Sequence, residues 1–405
     1  MKKHLFIVFL LTLSGMLPRC AREPVDPKPK SVHAMMWEEI EAEALGQVVR
    51  FSVWRSDRQV IRYLEEFVAP QMKTRYGVRL EITRHDAFDL REALLARSRG
   101  EGARIEADLL WTSVDTFRYL KERDVLGGPI GTKLPNAALI NWPQYLKKLD
   151  CQNAMNGYAV PWGHGHLTMV YNRDRVPEPP SGRAELAAWI RANPGRFTFD
   201  TSPLGMRLMH AWLVDMAGGP PAVSGDFDAD RYEAVSDKMW HFFEELKPFL
   251  WQEGRMFPKN MAELHDLYAR GEVDITLAGN LSEAQGHILR GEFPQSSECR
   301  VWPCPAAQCA HYLSVARDSH AVAGALVTLN FLLSKEAQLE KLKPNVWGDE
   351  TVLDMEALPR VWVDRFTAIQ TMGGVVRPMG ISSYAGGLAM EYRARLCEEF
   401  VERFR

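Results

Sequence analysis

The sequence predicts an α/β protein of two lobes, each built on a parallel-rich sheet flanked by helices. A chain of 405 residues is long enough for two domains of ordinary size. Strand-like and helix-like segments alternate along its first part, which is typical of a parallel sheet with right-handed crossovers. One extended segment at 157–180 is followed at once by a helix-like run. We interpret that segment as the place where the chain passes from one lobe to the other.

The first lobe begins with a short helix and then alternates strands with helices. Residues 48–54 alternate apolar and polar side chains and are rich in β-branched ones, which indicates a strand. Apolar residues at helical spacing follow, and Ser56 or Asp57 can cap that helix, as Ser113 or Asp115 can cap a later one. The predicted elements are a helix at 34–45, a strand at 48–54, a helix at 58–76, a strand at 78–83, a helix at 90–99, a strand at 108–112 and a helix reaching 125.

The second lobe and the return to the first follow the extended segment. Patterning predicts a helix after residue 180, a strand at 197–199, helices at 204–217, 230–250 and 261–270, strands at 274–278, 301–303 and 312–316, and a helical run at 319–342, before a tail with a Gly-rich interruption at 373–387. The layout is discontinuous. We predict a signal peptide at 1–20, a tether at 21–33, lobe 1 at 34–160 and 284–345, lobe 2 at 161–283, and a C-terminal helical segment at 346–405 that packs across the lobes.

The first twenty residues have the pattern of an export signal, with a basic start and a continuous apolar core at 5–13. Cys20 is a candidate for lipidation because Leu17 lies three residues before it, although Pro18 and Arg19 do not fit a lipoprotein signal. The segment after Cys20 is rich in Pro and Lys, as suits a tether. The alternative is a plain secretory signal cut nearby. We predict an exported, periplasmic protein that is anchored to the membrane through lipid on Cys20.

Composition and motifs exclude several classes of function. The chain has 46% apolar and 25% charged residues, as soluble globular proteins do, and its formal charge of −3 gives no reason to expect nucleic acid. It has no Gly-x-Ser-x-Gly elbow, no His-Glu-x-x-His, no phosphate-binding loop and no dinucleotide fingerprint. It also lacks the adjacent tyrosines of ferric-ion binders. We predict a monomer that is not an enzyme. We also predict that it holds neither a cofactor nor a resident metal.

Five cysteines follow Cys20, and an exported protein can pair them as disulfides. The four-residue gaps between Cys299, Cys304 and Cys309 favour one local disulfide and a buried thiol over a zinc knuckle, since no second half-site is present. Cys151 and Cys397 complete the set, and the pairing stays open.

Five segments together resemble a known family. They are FSVWRSDRQVIRYLEEFVAP, ADLLWTSVDTFRYLKE, AVPWGHGHLTMVYN, WIRANPGRFTF and NFLLSKEAQLEKLKPNVWGDETVLDMEALP, within about residues 37 to 366. In this order they resemble the periplasmic solute-binding proteins of ABC importers, and more narrowly the YnjB-type branch associated with thiamine-like uptake. The resemblance implies the type II periplasmic binding protein fold, hinge closure on a small solute, and delivery to a permease and its ATPase.

The segments depart from the branch pattern at three candidate ligand loops. Residues 54–57 read Trp-Arg-Ser-Asp where the branch has Trp-Gly-Gly-Asp, and residues 112–115 read Thr-Ser-Val-Asp where an Asn-Gly-Glu type is expected. The crossover has His164 and His166 in place of an arginine. The resemblance therefore implies the fold more firmly than the solute. Thiamine or a thiamine-like or phosphorylated compound is favoured, with a polyamine, a sugar or another anion as alternatives.

Ligands of open parallel sheets lie beyond the carboxyl ends of strands, at helix N-termini whose amides suit anions. Four loops follow such strands, at 54–57, 112–115, 201–205 and 279–282, although Ser, Thr and Asp there commonly serve as caps. Aromatic residues beside these loops can stack on a ring or surround a cation, although most of the chain's tryptophans will be core. The candidate ligand-binding residues are Trp54, Arg55, Ser56, Asp57, Thr112, Ser113, Trp162, His164, His166, Thr201, Ser202, Asn280, Trp302 and Tyr312.

Two members of this set have distinct alternatives. Arg55 would favour an anionic group on the ligand, or it is a solvated loop side chain. His164 and His166 lie two apart on an extended segment and face the same side, so that with His85 or a carboxylate they could bind a metal. Hydrogen-bonded hinge histidines are the preferred interpretation. Two further classes of function stay open from the residues, namely an extracellular enzyme that uses the same cleft, and a lipoprotein that binds other proteins through its surface.

Overall fold

The computed structural model describes residues 32–54, 58–85, 87–101, 106–140, 142, 157–202, 204–223, 226–302, 308–370, 388 and 390–404. No helix in these ranges is long and apolar enough to cross a membrane. Predictions for the signal peptide, Cys20, the 21–30 tether, residues 55–57, Cys151, Cys304 and the Gly-rich 373–387 fall outside these ranges. The side chains of Trp54 and Cys309 lie outside the description as well.

The first lobe is a six-stranded mixed sheet covered by helices. Its strands are β1 (Val48–Trp54), β2 (Arg79–His85), β3 (Leu109–Ser113), β4 (Leu126–Gly127), β5 (Ala159–His166) and β9 (Gln308–Ala316). They lie in the order β2-β1-β3-β9-β4, and β5 also pairs with β9. β1 is parallel to β2 and β3, whereas β9 is antiparallel to β3, β4 and β5. The helices of this lobe are Trp37–Ala44, Arg58–Arg62, Ala69–Tyr76, Ala87–Ser98, Val114–Glu122, Val322–Leu332, Lys335–Leu342 and Arg360–Gln370.

The second lobe has a smaller sheet whose central strand is antiparallel to both neighbours, which the sequence did not predict. Its strands are β6 (Thr168–Asn172), β7 (Ile275–Ala278) and β8 (Ser297–Val301), in the order β7-β6-β8, and β6 is antiparallel to both neighbours. β7 and β8 run parallel to each other with one helix, Glu283–Leu289, between them in the chain, as a crossover requires. β6 is inserted between them, so this sheet is not parallel-rich. The predicted strand at 197–199 is reduced to a parallel bridge of Phe197 with Ile275.

Helices Arg183–Ala192, Arg207–Met216, Ala229–Leu246, Met261–Ala269, Glu283–Leu289 and Met390–Phe404 surround the second sheet. Two of them, Glu283–Leu289 and Met390–Phe404, do not lie where the predicted lobe boundaries place them. Helix Glu283–Leu289 packs on β8, so residues 284–302 lie with the second sheet. The tail divides, because Phe366 packs in the first lobe's core whereas Leu396 and Phe400 pack in the second's. Apolar spacing marks a buried helix face but does not say which core buries it.

Several boundaries shift for local reasons. The run 58–76 is one continuous helix whose middle, Tyr63–Val68, is a π-helix placed just before Pro70. Proline lacks an N–H and clashes with the preceding turn, which a widened turn accommodates. The run 319–342 is two helices, because Ser334 caps the second by accepting a hydrogen bond from the Ala337 N–H at 3.2 Å. β8 ends at Val301, the first residue of the strand expected at 301–303.

Candidate functional site

A single residue, Leu167, joins the sheets of the two lobes. β5 ends at His166 and β6 begins at Thr168. The Leu167 carbonyl accepts a hydrogen bond from the Trp302 N–H at 2.9 Å, so the outgoing and returning chains cross side by side. The His166 N–H donates to Gly279 O at 2.9 Å, and the Thr168 hydroxyl lies 3.2 Å from the carbonyls of Ala278 and Asn280. The crossover and the 279–282 loop therefore form one site.

His164 and His166 face one carboxylate, that of Glu350. Nε2 of His164 lies 2.6 Å from Glu350 Oε2, and Nε2 of His166 lies 3.6 Å from Glu350 Oε1. The three side chains are almost fully buried. Burial lowers the pKa of His166, against the attraction of Glu350, so this imidazole favours its neutral form. The prediction that the two histidines share a side is confirmed, and their shared partner is a residue that sequence reasoning did not select.

Beneath this pair lies a buried ionic network. Lys341 donates to Asp349 Oδ2 at 2.6 Å and to the carbonyls of Trp162 and Glu350 at 2.7 Å each. His311 Nε2 lies 3.2 Å from Asp349 Oδ2. Burial alone would raise the pKa of Asp349, but the charges and hydrogen bonds of Lys341 and His311 hold it below its usual range. Because Lys341 binds both the Trp162 carbonyl of β5 and the Glu350 carbonyl, the network holds residues 349–350 against β5.

Gly163 is required by this network. A Cβ at that position would lie 1.8 Å from Asp349 Oδ2 and 2.6 Å from His311 Nε2. The glycine in the sequence Trp-Gly-His-Gly-His therefore marks a close approach of the 349–350 segment to the strand. A pattern search finds a glycine in a strand, but it does not find what approaches it.

Trp162 lies in the core of the first lobe and is fully buried. Its ring centroid is 5.0 Å from Trp347, 5.6 Å from Trp111 and 5.7 Å from His311. Its indole Nε1 is buried and has no hydrogen-bond acceptor among the described residues. Replacing Trp162 with alanine is therefore expected to destabilise the fold, because the indole ring packs in the first lobe's core. Its N–H is the one part left to serve a ligand or water.

On the second lobe, the 200–205 and 279–282 loops lie in contact with each other. The carboxylate of Asp200 is fully buried, and its Oδ1 accepts a hydrogen bond from the Ser202 N–H at 2.9 Å while Oδ2 has no donor among the described residues. Burial raises the pKa of Asp200 to about 6. A Cβ at Gly279 would lie 3.3 Å from Leu204, which shows that the 200–205 and 279–282 loops are in contact.

The first lobe touches these loops directly. A Cβ at Gly348 would lie 2.4 Å from the Ser282 Cβ and 3.2 Å from Asn280 Oδ1, and Gly348 has the left-handed φ of 83° that favours glycine. Asn280 Oδ1 accepts a hydrogen bond from the Ser282 N–H at 2.9 Å. Asn280 is thus placed where the 348–350 segment meets the second lobe, next to the crossover.

The other predicted residues are divided between this site and structural roles. Ser113 caps its helix by accepting from the Thr116 N–H at 3.2 Å, and Tyr312 packs against Phe117 on the opposite face of the sheet from Trp162. Trp302 is in the second lobe's core. Thr112 is fully buried and pairs with Tyr312 across the strands. The Ser202 hydroxyl accepts a hydrogen bond from the Gly205 N–H within the 200–205 loop, at 3.4 Å. The Thr201 N–H donates to Pro258 O at 3.0 Å. Residues 55–57 lie outside the description, so the prediction for Arg55, Ser56 and Asp57 stands as a prediction.

Sequence reasoning missed four charged residues of the site: Asp200, Lys341, Asp349 and Glu350. For the last two, the signal available was the Trp-Gly-Asp-Glu run at 347–350, where two acids follow a glycine a few residues after a helix ends at Leu342. Acids in that position usually turn toward solvent. Only the contact with a distant strand shows that these two are buried.

Known proteins match the chain over most of its length. The family described as bacterial extracellular solute-binding protein matches residues 67–359. Protein YnjB of Escherichia coli is 34% identical over 335 residues, which are 81% of this chain and 85% of that protein.

Among solved structures, the spermidine/putrescine ABC transporter substrate-binding protein PotD of Streptococcus pneumoniae covers 88% of this chain and 98% of its own at 15% identity, with a TM-score of 0.56. AfuA of Actinobacillus pleuropneumoniae, a periplasmic binding protein with fructose-6-phosphate bound, covers the same shares at 14% identity and a TM-score of 0.58. These likenesses show the two-lobed fold.

The prediction that the chain is not an enzyme is confirmed, since the matching family is one of binding proteins. Its family also makes it an exported protein that binds a small ligand for a permease. With the two lobes, the single-residue crossover and these matches together, the chain belongs to the bacterial extracellular solute-binding proteins of ABC importers, in the branch of YnjB.

Proposed function

We propose that the protein captures a small organic cation between its lobes, with thiamine or a thiamine-like compound favoured, and delivers it to its permease. The observation that supports this most is the carboxylate of Glu350. Both of its oxygens are buried and neither has a hydrogen-bond donor of suitable geometry among the described residues. A buried carboxylate is costly unless it is paired, and His166 tends to be neutral. His164 Nε2 lies 2.6 Å from one of these oxygens, and a cationic group on the solute would be a further partner for the carboxylate.

The surroundings of Glu350 supply further polar groups. The rings of Trp162, Trp111 and Trp347 pack together in the first lobe's core, with ring centroids 5.0–5.8 Å apart. The Trp162 N–H offers a donor to a ring nitrogen or a hydroxyl. Asp200 adds a second buried carboxylate oxygen without a donor from the opposite lobe. A thiazolium-bearing ring system or a polyamine matches two separated acids, and Arg55 would serve a phosphate if the solute has one.

The similar structures include binders of cationic polyamines and of an anionic sugar phosphate. PotD is named for spermidine and putrescine, whereas AfuA holds a sugar phosphate. The acids of the described site favour the first type of ligand. The panel for testing should therefore contain thiamine, thiamine monophosphate, spermidine, putrescine and fructose 6-phosphate.

Closure about Leu167 is the proposed mechanism. The lobes meet on one side, where Gln59 Nε2 is 3.4 Å from His287 Nε2 and Gly348 contacts Ser282. A solute held by Glu350 on one lobe and Asp200 on the other would stabilise the closed form relative to the open one. The permease would then recognise the closed form.

Glu350→Gln is expected to weaken binding of the best ligand about 10- to 100-fold, because a hydrogen bond to a charged group contributes about 1.5–3 kcal/mol. Calorimetric titration with the panel measures this. Glu356→Gln is the matched control, since Glu356 is exposed a short distance along the same segment. Equal affinity in Glu350→Gln and wild type would remove Glu350 from the site. Binding of fructose 6-phosphate alone would overturn the cationic class.

We also propose that Cys20 carries the lipid anchor and that the anchored protein is monomeric. The export pattern and the tether after Cys20 support this. Cys20→Ala is expected to move the protein from the detergent phase to the aqueous phase in detergent partitioning of whole cells, because lipid supplies the membrane affinity. Retention of the variant in the detergent phase would contradict the assignment, and sedimentation measures the oligomeric state.

A further inference from the structure

The second lobe contains a cluster of metal-ligating side chains that the solute site does not use. His265 lies on helix Met261–Ala269, and Glu283 and His287 lie four residues apart on helix Glu283–Leu289, so that they share one face. One potential ligand atom from each of the three lies within 4.8 Å of the others. Both histidines are buried.

Each histidine is already oriented through its other ring nitrogen. His265 Nε2 lies 2.8 Å from the Leu277 carbonyl, and His287 Nδ1 lies 2.7 Å from the Glu292 carboxylate. Both partners only accept hydrogen bonds, so these two nitrogens carry the protons. The lone pairs are therefore on His265 Nδ1 and His287 Nε2. His287 Nε2 accepts a hydrogen bond from the Gln59 amide at 3.4 Å, which a bound ion would displace. A metal-bound histidine characteristically donates its other N–H to a carbonyl or carboxylate in this way.

The cluster is rigid and holds its ligands in the form that metals bind. The His287 ring stacks on Phe293 at 4.1 Å and meets His265 edge-on at 4.7 Å. Burial lowers the pKa of both imidazoles, and neutral imidazole is the ligand form. Burial also raises the pKa of Glu283 to about 7, a cost that a cation beside it would offset.

We propose that His265, Glu283 and His287 bind one divalent transition-metal ion of the Zn²⁺ type. Two imidazoles and a carboxylate suit Zn²⁺, which takes three protein ligands and leaves a fourth position for water. Arg290 is the competing cation, because its charge acts on Glu283 and His287.

The position of the cluster gives the ion a consequence for the lobes. The same helix that carries Glu283 and His287 contacts the first lobe, since a Cβ at Gly286 would lie 2.3 Å from the Pro344 carbonyl. His287 Nε2 also faces Gln59 of the first lobe at 3.4 Å. A bound ion would tie this helix to helix Met261–Ala269 and so fix the surface that the second lobe presents on closure.

The test is Zn²⁺ titration by calorimetry of the chelator-treated mature protein, with its cysteines alkylated so that thiols do not compete. Wild type is expected to bind one Zn²⁺ per chain and to melt at a higher temperature with it. Glu283→Gln and His287→Ala are expected to lose this binding. Glu292→Gln, which removes the hydrogen-bond partner of His287, is expected to weaken it about 10- to 100-fold.

Two control variants isolate the cluster. His241→Ala removes an exposed histidine that pairs with Glu245, and Glu350→Gln alters the histidine–carboxylate group at the crossover. Both are expected to bind Zn²⁺ as wild type does. Failure of folded wild type to bind Zn²⁺ would overturn the proposal, as would binding that survives in Glu283→Gln. The isosteric Glu283→Gln variant decides the matter even if His287→Ala does not fold, and solute affinity is measured separately.

Discussion

Replacing Lys341 with methionine is expected to destabilise the protein by about 3–5 kcal/mol, because the change removes the lysine ammonium from the buried carboxylate of Asp349. The Lys341 side chain is fully buried and its ammonium makes three hydrogen bonds of 2.6–2.7 Å. Methionine fills a similar volume but supplies no donor. The carboxylate of Asp349 would keep only His311, and the Trp162 carbonyl would keep only the amide of Gln338. The Glu350 carbonyl would lose the hydrogen bond from Lys341 as well.

Denaturant unfolding at neutral pH measures the loss. Lys343→Met is the matched control, because Lys343 lies on the same turn, is 39% exposed and pairs with Glu340, so that its loss should cost at most about 1 kcal/mol. Adding Asp349→Asn to Lys341→Met should recover part of the stability by removing the stranded charge. A loss no larger than that of the control would show that Asp349 finds another partner.

The pH dependence of the same variant has a definite sign. The pKa of Asp349 is held below its usual range in the folded protein, so the stability it contributes is present above about pH 4 and is lost as pH falls through the lower folded value. Without Lys341 only His311 is left to lower the pKa of Asp349, so this depression should shrink. The difference between wild type and Lys341→Met should therefore narrow on acidification.

The sequence was sufficient for elements whose pattern is local. β1 has the predicted bounds of 48–54, since alternation and β-branching act along one strand, and the extended segment at 157–180 does contain the crossover. The directions of the strands in the second sheet are not determined by local sequence. β6 follows β5 in the chain, but its neighbours come from residues about one hundred positions later.

The site was predictable in position but not in composition. His164, His166 and Asn280 lie at the crossover as expected, because loops after strands meet at one edge of a sheet. Ser113 shows the limit of that reasoning, since a hydroxyl at a helix start has the same sequence signal whether it caps or binds. Glu350 and Lys341 were missed because their burial depends on contacts with β5, far away in the chain.

Trp162→Ala is expected to destabilise the protein by about 3–5 kcal/mol, the usual cost of removing a buried tryptophan ring. The ring is fully buried among Phe51, Tyr63, Trp111 and Trp347, which cannot collapse into the space without moving β5. Trp362→Ala is the control, since Trp362 is only partly buried on an outer helix. Its loss should cost clearly less in the same denaturant experiment.

Trp162→Phe separates the two roles of the residue. Phenylalanine keeps most of the packing but lacks the Nε1–H, which has no acceptor among the described residues. If that N–H serves the solute, this variant should stay close to wild type in stability and bind the best ligand about tenfold more weakly, as expected for one lost hydrogen bond. If instead Trp162→Ala unfolds at the wild-type denaturant concentration, the ring is not a core anchor. The aromatic cluster would then belong to the wall of the cleft, and the solute would be expected to stack on it directly.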